Sequence, residues 1–185
     1  MTKEILKDGE RRMQGVIENT KQDFATVRTG RANPALLDRI QAEYYGTMTP
    51  LNQMASISAP EARLLLIQPW DKSAVKDIER AIQKSDLGLT PNTDGEVIRI
   101  PIPALTEERR KELVRFVRKA AEDNRIAVRN IRRDANDSLR SLEKEGDVSE
   151  DDRHRAEAEV QELTDKFIEE IDKLLKEKEA EIMEV

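Results

Sequence analysis

Apolar residues recur at three- and four-residue intervals in two outer regions of the chain and alternate with polar residues only in between. Near the start, Ile5, Gly9, Met13, Val16, Ile17, Thr20, Phe24 and Val27 keep helical spacing, which predicts one helix over residues 2 to about 28, ended by Gly30. The texture then changes. Ile40, Ala42 and Tyr44 alternate with polar neighbours, Gly46 and Thr47 read as a turn, and residues 54–58 and 64–68 read as short strands. Val75, Ile78 and Ile82 restore helical spacing over 71–85, with Asp71 or Ser73 as cap and Gly88 beyond the end. Residues 90–95 are rich in turn formers, and 97–100 form a strand closed by Pro101 and Pro103.

From Thr106 the helical pattern runs to about Glu145, with Glu107 and Glu108 in the first turn, where they suit the helix dipole. Gly146 breaks it, Ser149 with Asp152 fits a capping box, and a last helix carries Ala156, Val160, Leu163, Phe167, Ile171, Leu174 and Ile182. Each of these two helices would be about 50–60 Å long. Their apolar arcs are too broad for a two-helix seam, so the first helix is expected to fill the groove. The expected fold is α+β but mainly α. An elongated three-helix bundle from residues 1–30 and 105–185 is interrupted by a small, mostly β inserted domain at 31–104. The short crossings Arg31-Ala32-Asn33-Pro34 and Pro101-Ile102-Pro103-Ala104 resemble a hinge.

Charge sharpens this picture. Between Arg109 and Arg133 there are ten Lys or Arg against Glu122, Asp123 and Glu112, a local excess of seven positive charges in a chain whose net charge is -6. On a helical projection Leu113, Phe116, Val117, Ala120, Ala127, Val128, Ile131, Ala135, Leu139 and Leu142 fall within roughly 140°. Lys111, Arg115, Arg118, Arg125, Arg129, Arg132, Arg133 and Arg140 occupy a sector of about 100° facing the other way, shared only with Glu122 and Asn136. A solvated face usually mixes signs, with intrahelical pairs such as Arg118 with Glu122. Here the acids lie largely on the flanks, which points to a polyanion, and phosphate is the commonest. An acidic chain of pI about 5.1 is not a general nucleic-acid coat, so binding should be site-directed. A lipid-binding helix would need its apolar arc free, and this one is committed to the bundle.

Other chemistry is sparse. Charged residues reach 38% and aromatics only 3%, a composition of long helices packed through aliphatic seams. Cysteine is absent, which excludes disulfides, thiolate metal sites and cysteine catalysis. Neither GxGxxG nor GxxxxGK[ST] occurs, which argues against a nucleotide enzyme. His154 is the single histidine and reads as a solvent-exposed helix residue, without the partners zinc would need. Glu150, Asp151 and Asp152 read as anions at a helix start rather than a metal or acid/base cluster. Tyr44, Tyr45 and Trp70 could stack on bases, but aromatics in a small sheet are usually core or rim. The Asn136-Asp137-Ser138 sequon falls inside a helix and is read as coincidental. No signal-like or membrane-spanning apolar run is seen, and a cytoplasmic protein is expected.

Several segments together, VRTGRANP (27–34), EYYGT (43–47) with TPL (49–51), SDLGL (85–89), LTEERRK (105–111) and VRNIRR (128–133), resemble the bacterial ribosome recycling factors over essentially the whole chain. The resemblance implies an L-shaped, two-domain, non-enzymatic translation factor of about transfer RNA size, without cofactor or metal. Such a factor binds the post-termination ribosome and, with elongation factor G and its GTP hydrolysis, separates the subunits so that messenger and deacylated transfer RNA leave. It implies that the bundle lies on large-subunit ribosomal RNA. Arg129 and Arg132 match the family's RNA-contacting arginines, so the candidate RNA-binding set is Lys111, Arg115, Arg118, Arg125, Arg129, Arg132 and Arg133. Arg28, Gly30 and Arg31 match its hinge-proximal motif; with Pro34, Pro101, Pro103 and Ala104 they make the candidate hinge. The chain departs from the family where Pro103-Ala104 replaces a usual Pro-Pro, leaving one more free φ, and where Met48 and Thr90 replace frequent proline and asparagine. A monomer is expected. A competing reading, a coiled-coil tether or chaperone with a merely solvated charged face, would instead oligomerise through its apolar seams.

Overall fold

The computed structural model describes residues 1–184. In chain order the elements are α1 (Thr2–Ala25), β1 (Gln41–Tyr44), β2 (Thr47–Pro50), β3 (Ala55–Glu61), β4 (Leu64–Pro69), α2 (Val75–Lys84), β5 (Asn92–Thr93), β6 (Ile98–Pro101), α3 (Glu107–Lys144) and α4 (Glu150–Met183). Short 3-10 turns occupy Pro34–Leu37, Leu51–Gln53 and Lys72–Ala74. The chain divides into two compact units, Met1–Arg28 with Thr106–Val185, and Thr29–Leu105.

In the first unit α1, α3 and α4 pack pairwise around one seam. Its buried positions on α3 are Leu113, Val117, Ala121, Asn124, Val128, Ile131, Ala135 and Leu139. From Val117 to Ala135 this is a strict seven-residue repeat, and α1 (Gly9, Met13, Ile17, Thr20, Phe24) and α4 (Ala156, Val160, Thr164, Phe167, Ile171) share the four-four-three-four spacing that α3 shows from Leu113 to Val128. A heptad seam is narrower than the sector that the apolar residues span on a straight projection. Phe116, expected on the core side, is therefore 52% exposed, and the fully buried alanine is Ala121 rather than Ala120.

Polar groups fix how the helices sit in register. Asn124, only 5% exposed, accepts from Asn19 Nδ2 at 3.0 Å and donates through its own Nδ2 to Asp23 Oδ2 at 3.2 Å. Thr20 and Thr164 are buried too, each donating its hydroxyl to the carbonyl four residues back. Arg12 reaches Asp134 at 2.9 Å, and at the α3–α4 corner Arg153 pairs with Glu143 and Glu157.

The helix ends follow from local chemistry. The α1 helix stops at Ala25, short of the expected residue 28, because Thr26 Oγ1 donates to the Asp23 carbonyl and the Val27 N–H to that of Phe24, tightening the last turn. Thr106 caps α3 by accepting from the Arg109 N–H at 3.1 Å, and Ser149 caps α4 by accepting from that of Asp152. Between them Gly146 takes φ +81, where a side chain would be strained.

The second unit packs α2 against a four-stranded antiparallel sheet ordered β3-β4-β6-β5 and a separate β1-β2 hairpin, around Leu37, Leu51, Leu65, Ile67, Ile78, Ile82, Ile98 and Ile100. The expected turn at Gly46 is present, but it belongs to a hairpin whose second strand, β2, the sequence pattern hid. Tyr45 and Gly46 both take positive φ, as a two-residue hairpin turn requires. The two-residue β5 was likewise hidden in the 90–95 turn.

Both expected crossings prove to be anchored in this unit. Ala32 N–H donates to the Ala62 carbonyl at 2.7 Å and Ile102 N–H to that of Arg63 at 2.9 Å, so both strap onto the β3–β4 turn. Pro34 opens a 3-10 turn capped by Asn33, and Pro101 ends β6. The units divide instead at Arg28/Thr29 and Leu105/Thr106.

Phe167, nearly fully buried, tests the bundle core. Phe167→Ala should cost about 3–5 kcal/mol, read as a lower Tm by circular dichroism with little loss of helicity at low temperature.

Candidate nucleic-acid interface

The side of α3 away from the heptad seam carries Lys111, Arg115, Arg118 and Arg133 exposed and Arg125, Arg129 and Arg132 half-buried. The structure thus brings all seven expected cations onto one helix, but it does not leave them all free. Arg118 Nε donates to Glu179 Oε1 at 2.6 Å. Arg125 Nε donates to Asp172 Oδ1 at 2.7 Å and its Nη1 to Glu122 at 3.0 Å. Glu122 also takes Arg129 at 3.3 Å, and Arg140 lies 3.5 Å from Glu157. Arg132 finds a neutral partner, donating through Nη1 to the Gln161 side-chain Oε1 at 3.3 Å, and Lys111 lies 3.6 Å from Glu107. Arg115 and Arg133 have no acidic partner among the described residues.

The acids lie less strictly on the flanks than a projection of α3 alone indicates, and Arg118 pairs across to Glu179, not along the helix with Glu122 as a merely solvated face would have it. The acids come from α4 as well as from Glu107 and Glu122 of α3 itself. Arg118, Arg125 and Arg132 are spaced by seven, as are Asp165, Asp172 and Glu179, and antiparallel packing lays the two rows side by side, as charged positions flanking a coiled-coil seam do. That heptad spacing was legible in the sequence once α3 and α4 were read as a pair.

The ladder perturbs its members. The Arg125 guanidinium, and then Arg129, hold the Glu122 carboxyl below the usual carboxylate range. The hydrogen bond from Arg118 to Glu179 raises the Arg118 pKa further. Uncompensated charge is left at Arg115, Arg132 and Arg133. A phosphate approaching the face meets these three first, and it must displace a carboxylate to reach Arg118 or Arg125.

The other candidates take simpler places. Gly30, at φ +77, brings the outgoing chain against the returning one, since a Cβ there would meet Leu105 Cγ at 3.3 Å. Tyr44 is half-buried and donates to Asp71 Oδ2 at 2.9 Å, which pushes its phenol up to about 12. Tyr45 is 83% and Trp70 68% exposed, so neither is core. His154 is exposed 3.6 Å from Glu150, and Glu150, Asp151 and Asp152 occupy the exposed first turn of α4. Among the described residues no helix is long and apolar enough to cross a membrane.

A three-helix bundle with a row of cations along α3, carrying an inserted α+β unit with an antiparallel sheet, defines a class of two-domain proteins. Residues 20–183 match the family described as ribosome recycling factor, and this chain belongs to that family. The ribosome-recycling factor of Halalkalibacterium halodurans is 62% identical and that of Bacillus subtilis (strain 168) 57%, each over 185 residues that cover both chains completely. A solution structure of the ribosome recycling factor superposes with TM-score 0.78 at 45% identity, covering 100% of this chain and 98% of that one. Models of the T. thermophilus ribosome recycling factor and the E. coli elongation factor G bound to the E. coli post-termination complex give TM-score 0.66 at 51% identity, with 100% of both chains covered.

The ladder makes a prediction. Asp172→Asn removes a competing carboxylate from Arg125 and should raise affinity for RNA about two- to fivefold at low salt, measured by fluorescence anisotropy with a labelled oligoribonucleotide, with little change in Tm.

Proposed function

We propose that this chain is a non-enzymatic translation factor of the cytoplasm. It binds the post-termination ribosome and, with elongation factor G and its GTP hydrolysis, separates the subunits so that messenger and deacylated transfer RNA are released. The observation that carries the reading is a cationic face whose apolar back is sealed in the bundle, in a chain alike from end to end to ribosome-recycling factors. Lys111, Arg115, Arg118, Arg125, Arg129, Arg132 and Arg133 face large-subunit ribosomal RNA. The second unit swings about the two crossings at Arg28/Thr29 and Leu105/Thr106. Pro34 and Pro101, fixed in that unit, bound the moving body; Arg28, Gly30, Arg31, Pro103 and Ala104 lie at or near the flexing stretches. GTP hydrolysis belongs to the partner. The chain contributes shape, charge and a joint.

Roughly four to six phosphate contacts give a log–log salt slope of about −3 to −5 for ribosome binding. Replacing Arg129 and Arg132 together by Ala should weaken binding and flatten that slope while helicity and melting stay nearly unchanged; normal affinity would remove the assignment of the face. In a reconstituted assay, the protein should split post-termination ribosomes when elongation factor G and GTP are both present. No splitting under that condition overturns the function.

A further inference from the structure

A lone helix surface is convex, but beside α4 the basic face of α3 is hollow. Lys111, Val114, Arg115 and Arg118 of α3 and Glu179 and Met183 of α4 line an open groove of about 310 Å³, at the lower end of the range for small-molecule sites. Its floor is apolar: Val114 is half-buried, and Met183 is 52% exposed with its thioether side chain on the groove. Its rim is cationic. Arg115 has no acidic partner, Lys111 has only a long, exposed pair to Glu107, and Arg118 is held by Glu179 at 2.6 Å. The groove is continuous with the Arg125–Arg133 stretch, since its three cations belong to the same sector of α3.

This division of chemistry suits one kind of occupant. A phosphate gains nothing from Val114 and Met183 and is repelled by Glu179, but it is well placed at Lys111 and Arg115. A neutral planar base gains from the apolar floor and from guanidinium planes on which bases stack. Paired bases inside a duplex cannot reach such a hollow, whereas an unstacked one can. Resting on the proposed docking to ribosomal RNA, we infer that the groove is a pocket for one unpaired nucleotide of that RNA, with its base on Val114 and Met183 and its phosphate at Lys111 and Arg115. Glu179 then acts as a positioning residue that holds the Arg118 guanidinium at the wall.

The pocket separates two contributions that salt dependence tells apart. Val114→Trp fills the groove without removing a charge. It should lower affinity for isolated large ribosomal subunits about tenfold, within what stacking of one base contributes, and leave the salt slope as it is. Arg115→Ala should lower affinity and reduce the slope by about one contact. Met183→Ala, which leaves the bundle seam untouched, should weaken binding in the same salt-independent way and serves if the Trp variant melts early. In full-length protein with 13C-labelled methionine methyls, the Met183 signal should move on adding single-stranded oligoadenylate but not an RNA duplex of equal length. Wild-type affinity in both the Val114→Trp and Met183→Ala variants, or equal response to duplex and single strand, overturns the pocket. So does normal subunit binding with loss only of the response to elongation factor G, which would make the groove a protein contact. The Arg129/Arg132 double variant distinguishes the two readings: if it binds weakly while the groove variants bind normally, docking stands and the pocket falls.

Discussion

Everything in the first unit depends on a shortage of apolar surface. Its helices are long and heavily charged, and each carries a seam only two positions wide per heptad. Half-buried apolar residues flank it, Val114, Ala120, Ala127 and Leu142 on α3, so that seam and flanks together are broader than one neighbour covers, and a helix of this length is not held by propensity alone. Three seams closing on one another satisfy it, and the third must come from the far side of the inserted unit. The insertion is thus compelled to leave and re-enter at neighbouring points, which is why the two crossings meet beside each other at Gly30 and Leu105.

The same shortage shapes the outer surface. Outside the seam α3 presents mostly charge, with Phe116 and Ile126 as its exposed apolar residues, and α4 runs antiparallel beside it with carboxylates at matching heptad positions. The cationic face is therefore buffered from within. Arg118 and Arg125 are occupied, Arg132 rests on a neutral amide, and Arg115 and Arg133 stand open. On the proposed docking, a cationic face partly neutralised by its own neighbour, in an acidic protein, favours a partner that matches its geometry over arbitrary nucleic acid.

Much of this could be seen in the amino-acid order, and the exceptions have physical causes. The long helices, their caps at Thr106 and Ser149 and the break at Gly146 are written in local periodicity and capping chemistry, which act within a few residues. Phe116 misled because a straight-helix projection does not know that packing narrows the seam to a heptad. The β1-β2 hairpin was hidden because Tyr45 carries a positive φ that its side chain does not advertise, and because Thr47–Pro50 is too short and polar to alternate visibly. In the crossings, Pro34 and Pro101 looked like linker but are strapped to Ala62 and Arg63, contacts set by tertiary structure. At the face, all seven cations could be named from sequence; which of them stay unpaired could not, since that depends on how α4 lies beside α3.

Asn124 carries a last consequence. A leucine in its place would bury more apolar surface, yet heptad seams of aliphatic residues tolerate slippage by a whole turn, about 5.4 Å along the axis. The amide is bonded at once to Asn19 and Asp23, which lie one turn apart on α1; a one-turn shift keeps at most one of them and sets Gly15 or Val27 in place of the other, so the amide loses a hydrogen bond that nothing replaces. The side chain thus works as an index mark. It sacrifices some cohesion so that α1, and with it the point at which the inserted unit departs, is held at a single axial position against the cationic helix.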